Sequence, residues 1–248
     1  MTSIRILSIN ANAGLDMTRR RYVLPALRDA IQAVDADIVC AQEVLGEHAL
    51  HARRHPGSPN ATHHEYLAGT RWPYRAYGRN AVFADGDQGN AVLSKFKFIE
   101  SHNHDVSIGS HEPRGLMHGV LRLPQRRHLH VINVHLGLLE SHRQQQVASL
   151  CRFIKSDIPD DAPLIVAGDF NDWRKCIHSA LRNAGLHEVF EDATGRLAIT
   201  FPARLPLLPL DRIYLRNATA RNVDVLSMRP WSHLSDHAAL YAQIELTG

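Results

Sequence analysis

Several apolar stretches of this chain are followed directly by polar residues, and this pattern constrains the fold more than any other feature. Residues 163–167, Pro-Leu-Ile-Val-Ala, lead straight into Asp169 and Asn171. A strand of that composition is buried, and residues spaced by two lie on one face of a strand. The same pattern recurs in residues 5–10, 37–43 and 129–135, and in residues 235–237 before another apolar run. Packing alone does not explain five strands that direct Asn, Glu, His and Asp side chains to one region, so the pattern indicates an active site.

Length and composition are those of a globular protein with a large core. The chain has 248 residues, of which 44% are hydrophobic, and this is ordinary for a folded domain. No repeat, low-complexity tract or linker separates two parts, so we predict a single domain over residues 1–248. The net charge of +3 is compatible with an anionic substrate but is too weak to establish one.

The order of strand and helix patterns predicts an α/β fold. The predicted helices are 19–34, 141–156 and 175–184. The predicted strands are 4–10, 37–44, 74–79, 89–98, 115–123, 128–136, 164–170, 211–217, 223–228 and 238–246. Because several strands are neighbours in sequence, hairpins mix with helical crossovers, which favours mixed sheets stacked on each other with helices outside.

The cysteines and the lengths of the apolar segments indicate where in the cell the protein is expected. Cys40, Cys151 and Cys176 are scattered without a CxxC pair, which argues against a disulfide framework and against a thiolate zinc site. The start of the chain shows a strand pattern rather than a signal segment. No apolar stretch approaches the roughly 20 residues that span a bilayer. We therefore expect a cytoplasmic protein without a transmembrane segment.

Histidines are concentrated in residues 46–70, which contain five of the 17 in the chain among glycine, proline and asparagine. A mobile surface loop is the favoured interpretation. A histidine metal site is the alternative, although the spacings match no standard ligand pattern.

Three strand-end residues are candidate metal ligands. Mg²⁺ takes oxygen ligands, usually one or two carboxylates together with water and phosphate oxygens. Glu43 and Asp236 provide carboxylates and Asn10 provides a neutral oxygen. The residue types therefore suit a metal that neutralises the charge of a phosphate.

Five further residues are candidates for proton transfer and phosphate binding. Asp169 and Asn171 can hold water and phosphate, and His135 and His237 can handle protons. Asp211 can receive a histidine N–H and fix the tautomer of that ring. Together with the metal ligands, these residues predict water attack on phosphorus.

The order of these motifs resembles that of the endonuclease/exonuclease/phosphatase superfamily, which includes DNase I, abasic-site nucleases, neutral sphingomyelinases and inositol polyphosphate 5-phosphatases. Any single motif is weak, but the ordered set covers nearly the whole chain. The motifs are Asn10, Gln42-Glu43, Gly89-Asn90, Arg114-Gly115, Asn133-Val134-His135, Gly168-Asp169-Phe170-Asn171, Asp211 and Ser235-Asp236-His237. Histidine at position 135 resembles the DNase I, sphingomyelinase and phosphatase branches, and the chain as a whole resembles a small bacterial branch of unsettled substrate.

The resemblance implies a DNase I-like fold, a four-layer α/β sandwich in which two mixed β-sheets pack face to face and are flanked by helices. It implies Mg²⁺ or Mn²⁺ as cofactor, with Glu43 as the principal ligand, helped by Asn10 and Asp236. Either His237, oriented by Asp211, or Asp169 itself would handle the attacking water.

The resemblance also implies the partners of the phosphate. Asn171 and His135 would hold it, and His135 is also a candidate acid towards the leaving group. Asn90 and Arg114 are candidate substrate-binding residues, because an arginine beside such a site can clamp phosphate.

Other residues near the motifs have two interpretations each. The run Arg19 to Arg21 is interpreted as a solvated helix start, and contact with an anionic substrate is the alternative. Trp173 and Trp231 are interpreted as core residues, and walls of the substrate pocket are the alternative.

The predicted function is a divalent-metal-dependent phosphoester hydrolase, specifically a phosphodiesterase. Its substrate is left open among a phospholipid headgroup, a small phosphodiester and nucleic acid, and no protein partner is implied. The alternatives are a DNA endonuclease or exonuclease of the same fold, which the scarcity of lysine in the loops disfavours, and a non-catalytic phosphoester-binding module.

Overall fold

Two β-sheets dominate the structure, a computed structural model that describes residues 3–55, 57–109, 112–124 and 127–247. Each sheet has six strands within these ranges. In spatial order, the first sheet contains β11 (Ala218–Leu226), β12 (Ala239–Leu246), β1 (Ser3–Asn10), β2 (Ile38–His48), β4 (Gly86–Ser94) and β3 (Tyr74–Phe83). The second contains β5 (Lys97–Asp105), β6 (Gly115–Arg122), β7 (His128–His135), β8 (Leu164–Asp169), β10 (Asp211–Arg216) and β9 (His187–Glu188).

A parallel pair of strands lies inside each sheet. In the first sheet β1 is parallel to β2, and α1 (Leu24–Val34) lies between them in the chain. In the second sheet β7 is parallel to β8, and α4 (Glu140–Asp157) lies between them. The other strand pairings described are antiparallel. Because parallel strands end at the same edge of a sheet, each sheet has two strand ends side by side.

Helices cover the outer faces of the two sheets. Leu27 of α1 and Leu67 pack with the outer side chains of the first sheet, and Leu150 of α4 and Leu181 pack with those of the second. The other helices described are α2 (Ala49–Arg54), α3 (His63–Ala68), α5 (His178–Asn183) and α6 (Val189–Thr194). None of the helices in the described part of the chain is long and apolar enough to cross a bilayer. The predicted four-layer sandwich of two mixed β-sheets is confirmed.

The side chains between the two sheets change from apolar to polar along the central strands. On β7, Leu129 and Val131 belong to the core between the sheets. Asn133 and His135 follow on the same face of the strand, because side chains alternate with a period of two. On β1, β2 and β8 the apolar side chains of the inner face are likewise followed by a polar one, namely Asn10, Gln42 and Asp169. The apolar core therefore stops short of one edge, where polar side chains occupy the space between the sheets.

Two buried amides connect the sheets where the core turns polar. Asn133 of the second sheet donates from Nδ2 to the backbone carbonyls of Ala41 and Ala91 in the first, at 2.9 and 2.8 Å. Gln42 donates from Nε2 to Asn133 Oδ1 at 2.7 Å. Both amide side chains are fully buried. These hydrogen bonds fix the distance between the sheets next to the strand ends.

The predicted helix 19–34 is wrong at its start, because α1 begins at Leu24. Residues before it form a loop organised by Asp16, whose Oδ1 accepts hydrogen bonds from the backbone N–H groups of Thr18, Arg20 and Arg21. Aspartate side chains compete with helical hydrogen bonds in this way. Arg19 has a left-handed φ of 55° in the same loop, which a helix start does not tolerate.

Two further boundaries differ from the sequence prediction. The predicted strand 89–98 ends at Ser94, where Ser94 Oγ accepts the N–H of Phe96 and the chain crosses to the second sheet. The histidine-rich residues 46–70 are not a simple loop, because they contain the end of β2 and the helices α2 and α3. Thr62 and Glu65 form a capping box at the start of α3, a motif that specifies a helix start.

We expect Asn133→Ala to lower the free energy of unfolding by about 3 kcal/mol, because it removes three buried hydrogen bonds between the sheets, those to Gln42 and to the carbonyls of Ala41 and Ala91. Urea denaturation at pH 7 measures the change. Asn222→Ala, at an exposed position on β11, is the matched control and should shift the value by less than about 0.5 kcal/mol. Equal losses in the two variants would contradict the bridging role of Asn133.

Candidate active site

Strand pairing brings the polar strand ends to one edge of the sandwich. Asp211 begins β10 directly opposite Asp169, because β10 runs antiparallel to β8. His237 lies just before β12, which runs antiparallel to β1 and therefore begins where β1 ends. The residues assembled in this way are Asn10, Glu43, His135, Asp169, Asp211 and His237.

The carboxylate of Asp169 lies at the centre of the site and is 1% exposed. Its Oδ2 accepts a hydrogen bond from Asn10 Nδ2 at 3.2 Å, and its Oδ1 accepts the backbone N–H of Asn171 at 2.9 Å. The Nε2 atoms of His135 and His237 lie 3.5 and 3.8 Å from the same Oδ2. Burial raises the pKa of Asp169 to about 7, against the opposing effect of the positive charge on His237. This carboxyl group is therefore more basic than an aspartate in water.

His237 is oriented by Asp211. Its Nδ1 lies 2.8 Å from Asp211 Oδ2, which is the contact predicted from the sequence. The ring of Phe201 lies against the imidazole, with 4.9 Å between ring centroids. Burial lowers the pKa of His237, but the charges of Asp211 and Asp169 outweigh this effect and raise it to about 10. Because Asp211 holds Nδ1, the ring presents Nε2 to Asp169 and to the cleft.

Glu43 reaches the site because β2 is irregular there. The register between β2 and β4 shifts between Ala41 and Val44, and Glu43 has a left-handed φ of 51°. In a regular strand Glu43 would share the outer face with Ala41, whereas a bulge re-aims the side chain. As a result Glu43 Oε1 lies 3.1 Å from Asn10 Nδ2.

The amide of Asn10 connects the two acidic groups. Its Nδ2 donates to both Glu43 and Asp169, and its Oδ1 accepts the backbone N–H of Asn12 at 3.0 Å. In this orientation the amide positions the carboxylates, and its oxygen already has a partner. The predicted role of Asn10 as an oxygen ligand stays a prediction.

The acidic groups suit a hard divalent cation. The carboxylates of Glu43 and Asp169 both lie within hydrogen-bond distance of one small amide group, and the side chain of Glu43 is 20% exposed at the cleft. Mg²⁺ and Mn²⁺ prefer such oxygens together with water, so Glu43, assisted by Asp169, fits an ion of this kind. Asp211 Oδ1 is a further buried oxygen with no hydrogen-bond partner in the described residues.

One group of side chains in the described ranges brings three candidate ligand atoms within 4.8 Å of one another. It consists of Asp169, Asp211 and His237. The histidines of residues 46–70 form no such group within those ranges, so the alternative of a histidine metal site there gains no support.

Asp236 is not a member of this group of three. Its carboxylate accepts a hydrogen bond from Ser235 Oγ at 3.3 Å, and its charge contributes to the raised pKa of His237. It is absent from the described residues that line the cleft. The predicted ligand role of Asp236 stays a prediction.

The site opens into a cleft of about 650 Å³. Both predicted substrate-binding residues, Asn90 and Arg114, line it. Asn90 donates from Nδ2 to the carbonyl of Gly115 at 3.2 Å. Arg114 pairs with Glu112 at 3.3 Å. Apolar and aromatic side chains form much of the wall, namely Leu45, Phe83, Leu138, Trp173, Phe201, Leu208 and Leu210. The pocket-wall interpretation therefore applies to Trp173, whereas Trp231 packs in the core.

His135 and Asn171 complete the floor of the cleft. Burial and the positive charges of Arg114 and His237 hold the pKa of His135 well below its usual value, so the ring is neutral at pH 7. Asn171 has a left-handed φ of 51° and donates from Nδ2 to the carbonyl of Leu136 at 2.9 Å. Asparagine tolerates this backbone conformation better than most residues.

A buried ion pair supports the loop after β8. Arg212 donates from its Nη2 nitrogen to Asp172 Oδ2 at 3.1 Å, and neither side chain is exposed. Asp172 also accepts the backbone N–H of Cys176 at 2.9 Å. Because breaking such a pair leaves an uncompensated buried charge, it holds the turn that carries Asp169 and Asn171.

Arg19 is a cleft residue, which the sequence indicated only through the alternative interpretation of the run Arg19 to Arg21. Its guanidinium lies 3.6 Å from Glu43 Oε2 and is 64% exposed, and the residue lines the cleft. Nothing in the local pattern distinguishes it from Arg20 and Arg21, because the Asp16-centred loop that aims it is a consequence of the folded backbone.

Residues 7–237 match the Endonuclease/Exonuclease/phosphatase family, so the chain belongs to this family. The resemblance inferred from motif order is confirmed. Among its relatives is the uncharacterized protein YbhP of Escherichia coli, which is 48% identical over 246 residues, 98% of this chain and 97% of that protein.

Solved structures share the fold at low identity. The endonuclease/exonuclease/phosphatase from Beutenbergia cavernae has a TM-score of 0.79 and 16% identity, over 100% of this chain and 72% of that chain. TDP2 of D. rerio, complexed with a single-strand DNA product, has a TM-score of 0.72 and 18% identity, over 99% and 100% of the two chains. The mannosyl-6-phosphatase Bt3783 of Bacteroides thetaiotaomicron has a TM-score of 0.74 and 16% identity, over 98% and 100%. At these identities the likeness concerns the fold alone.

We expect Glu43→Gln to weaken Mn²⁺ binding at least tenfold, because the carboxylate facing Asn10 loses its charge, at a cost of about 1.4 kcal/mol or more. Isothermal titration of the metal-free protein measures the affinity without requiring a substrate. Glu245→Gln, which removes a surface carboxylate paired with Arg221, should bind Mn²⁺ like the unmodified chain. Unchanged binding by Glu43→Gln would rule out Glu43 as the main ligand.

Proposed function

We propose that this protein is a divalent-metal-dependent phosphodiesterase that directs water onto phosphorus. The observation that supports this most directly is the buried carboxylate of Asp169, which has two imidazole nitrogens within 3.8 Å and shares the Asn10 amide with Glu43. A binding module has no need of such an arrangement, because burying charged groups is costly even when they are paired.

The reaction requires one proton to leave water and another to reach the leaving group. The water oxygen forms a bond to phosphorus as the bond from phosphorus to the leaving oxygen breaks. Asp169, whose pKa is raised to about 7, accepts the proton of the water. The pKa of His237, raised to about 10, leaves that ring protonated at pH 7 and able to supply a proton to the leaving oxygen from the same part of the cleft. His135, whose Nε2 lies 3.5 Å from Asp169 Oδ2, is neutral at pH 7 and is placed to form a hydrogen bond with the phosphate. A divalent cation, when bound by Glu43, neutralises charge on the phosphate.

The remaining residues hold the participants in place. Asp211 is a positioning residue, because its contact with His237 Nδ1 determines which nitrogen faces the cleft. Arg114 and Asn90, which line the cleft, bind the phosphate oxygens, and Asn171 retains an N–H hydrogen for the same purpose. Such preorganised donors stabilise the charge that develops in the transition state.

The composition of the cleft favours a diester over a monoester. Among the described residues that line the cleft, two carry a guanidinium, Arg19 and Arg114, and each of these is already paired with a carboxylate, that of Glu43 or Glu112. A dianionic monoester calls for more charge-assisted donors, whereas a diester carries one charge and two organic substituents. The related folds of TDP2 with its DNA product and of the mannosyl-6-phosphatase support phosphoester chemistry in general and leave the substrate open.

We expect hydrolysis of bis(p-nitrophenyl) phosphate in Mg²⁺ or Mn²⁺, slower hydrolysis of p-nitrophenyl phosphate, and loss of both in excess chelator. Release of p-nitrophenol measures each rate. Glu43→Gln should reduce the rate by about 10²-fold or more, because one group stabilising the transition state typically accounts for this much. Full turnover in chelator would exclude the metal-dependent mechanism, and preferred cleavage of plasmid DNA would favour the nuclease alternative.

We expect Asp211→Asn and His237→Ala each to lower kcat/KM by about 10²-fold, the usual scale for an acid–base group. The double variant should lose little more than the worse single variant, because residues that act as a unit are not additive. Asp224→Asn, an exposed position on β11, is the control, and thermal melts verify that all variants fold. Losses that multiply in the double variant would show that the two side chains act independently.

A further inference from the structure

Exposed apolar side chains surround the mouth of the cleft. They come from the end of β3, from the segments after β7 and β8, and from the proline-rich connection before β10. The apolar rim consists of seven of the twelve large apolar side chains exposed in the described residues, namely Phe83, Leu138, Leu139, Trp173, Leu205, Leu207 and Leu208. Isolated exposed leucines are common on proteins, but a group around one opening marks a surface that contacts something apolar.

The connection before β10 has two apolar faces. Phe201 and Leu208 line the cleft, while Leu205 and Leu207 point into solvent with 68% and 65% exposure. The backbone is held in place, because the N–H groups of Leu207 and Leu208 both donate to the carbonyl of Phe201. The outward leucines are therefore presented by an ordered loop.

Basic side chains without acidic partners lie beside this apolar rim. Arg204 directly precedes Leu205 in the connection. The positive charges of Arg204, Arg229 and Arg21 lower the pKa of His233, together with partial desolvation, so each of these guanidiniums lies near that ring. All three arginines are exposed, and within the described ranges none of them forms an ion pair with a carboxylate. Arginines elsewhere, such as Arg5 and Arg71, do form such pairs. The rim therefore combines apolar side chains with uncompensated positive charge.

We propose that the rim docks on the surface of an anionic phospholipid bilayer, so that the cleft receives the phosphodiester of a phospholipid headgroup. The substrate part of this inference rests on the proposed function, whereas the docking does not. Protein surfaces that lie in the interface of a bilayer pair apolar side chains with basic ones in this way.

The kind of apolar side chain favours lipid over nucleic acid. Five of the seven rim residues are leucines, which enter the boundary between headgroups and acyl chains but offer no flat surface for a base. Proteins that hold single strands use aromatic side chains for stacking, and the rim offers only Phe83 and Trp173.

Vesicle co-sedimentation tests the docking without requiring turnover. The Glu43→Gln protein is mixed with vesicles of phosphatidylcholine alone and with vesicles of equal parts phosphatidylcholine and phosphatidylglycerol. We expect binding to the anionic vesicles, with the double variant Leu205→Ser/Leu207→Ser binding about tenfold more weakly. Arg204→Ala/Arg229→Ala should also bind about tenfold more weakly, and raised salt should reduce binding.

The matched control removes exposed apolar side chains from the opposite end of the sheets. Tyr74 lies at the start of β3, far from Phe83, and Ile99 lies near the end of β5 that pairs with Arg122 rather than with Gly115. Tyr74→Ser/Ile99→Ser should bind vesicles like the parent protein. Equal losses in this control and in the leucine variant, or no preference for anionic vesicles, would overturn the proposal.

Two further outcomes separate the docking from the catalysis. Leu205 and Leu207 do not touch the catalytic groups, so their variant should hydrolyse the soluble diester at the parent rate while losing activity on vesicles. Vesicle binding without hydrolysis of any phosphoester would retain the docking and reject the proposed function. Retention on DNA-coated beads, with no vesicle binding, would replace the lipid surface with nucleic acid.

Discussion

The hydrogen bonds of Asn133 are the interaction on which the rest of the structure depends. This buried amide spans the gap between the sheets and bonds to Gln42 and to two backbone carbonyls of the opposite sheet. It lies at the depth where the apolar core gives way to polar groups, since Val131 precedes it and His135 follows it on one face. Because each unsatisfied polar group in such a position is costly, the hydrogen bonds of Asn133 hold the two sheets in one position relative to each other. The strand ends beyond it consequently meet at a fixed separation.

The buried charges of the site are tolerated because they occur in compensating sets. Asp169 and Asp211 place two carboxylates next to His237, and their charges overcome the desolvation that burial imposes on the imidazole. Behind them, Arg212 neutralises Asp172 with neither side chain exposed. Pairing of this kind is what allows charged groups to remain in a nearly dry environment. The same exclusion of water strengthens any interaction of these groups with a bound phosphate.

Strand-end residues were predictable, and residues that depend on loop geometry were not. Asn10, His135, Asp169 and Asp211 belong to strands whose apolar alternation is visible in the sequence, and sheet pairing brings them together as the pattern indicates. Glu43 was selected from the same pattern, yet it faces the cleft only through a bulge with positive φ. Arg19 was assigned to a helix that begins five residues later, because the Asp16 side chain captures the backbone N–H groups of that loop.

The sequence by itself determined the two-sheet architecture, the family and the residue types of the candidate site. Each of these rests on local periodicity and on motif order, which the chain carries along its length. Only the tertiary structure decided which groups touch, that Asn10 turns its nitrogen rather than its oxygen to the carboxylates, and that Asp236 lies outside the central cluster. It also decided that leucines from separate segments surround one opening. These features depend on contacts between residues far apart in the chain, and the local sequence pattern contains no information about such contacts.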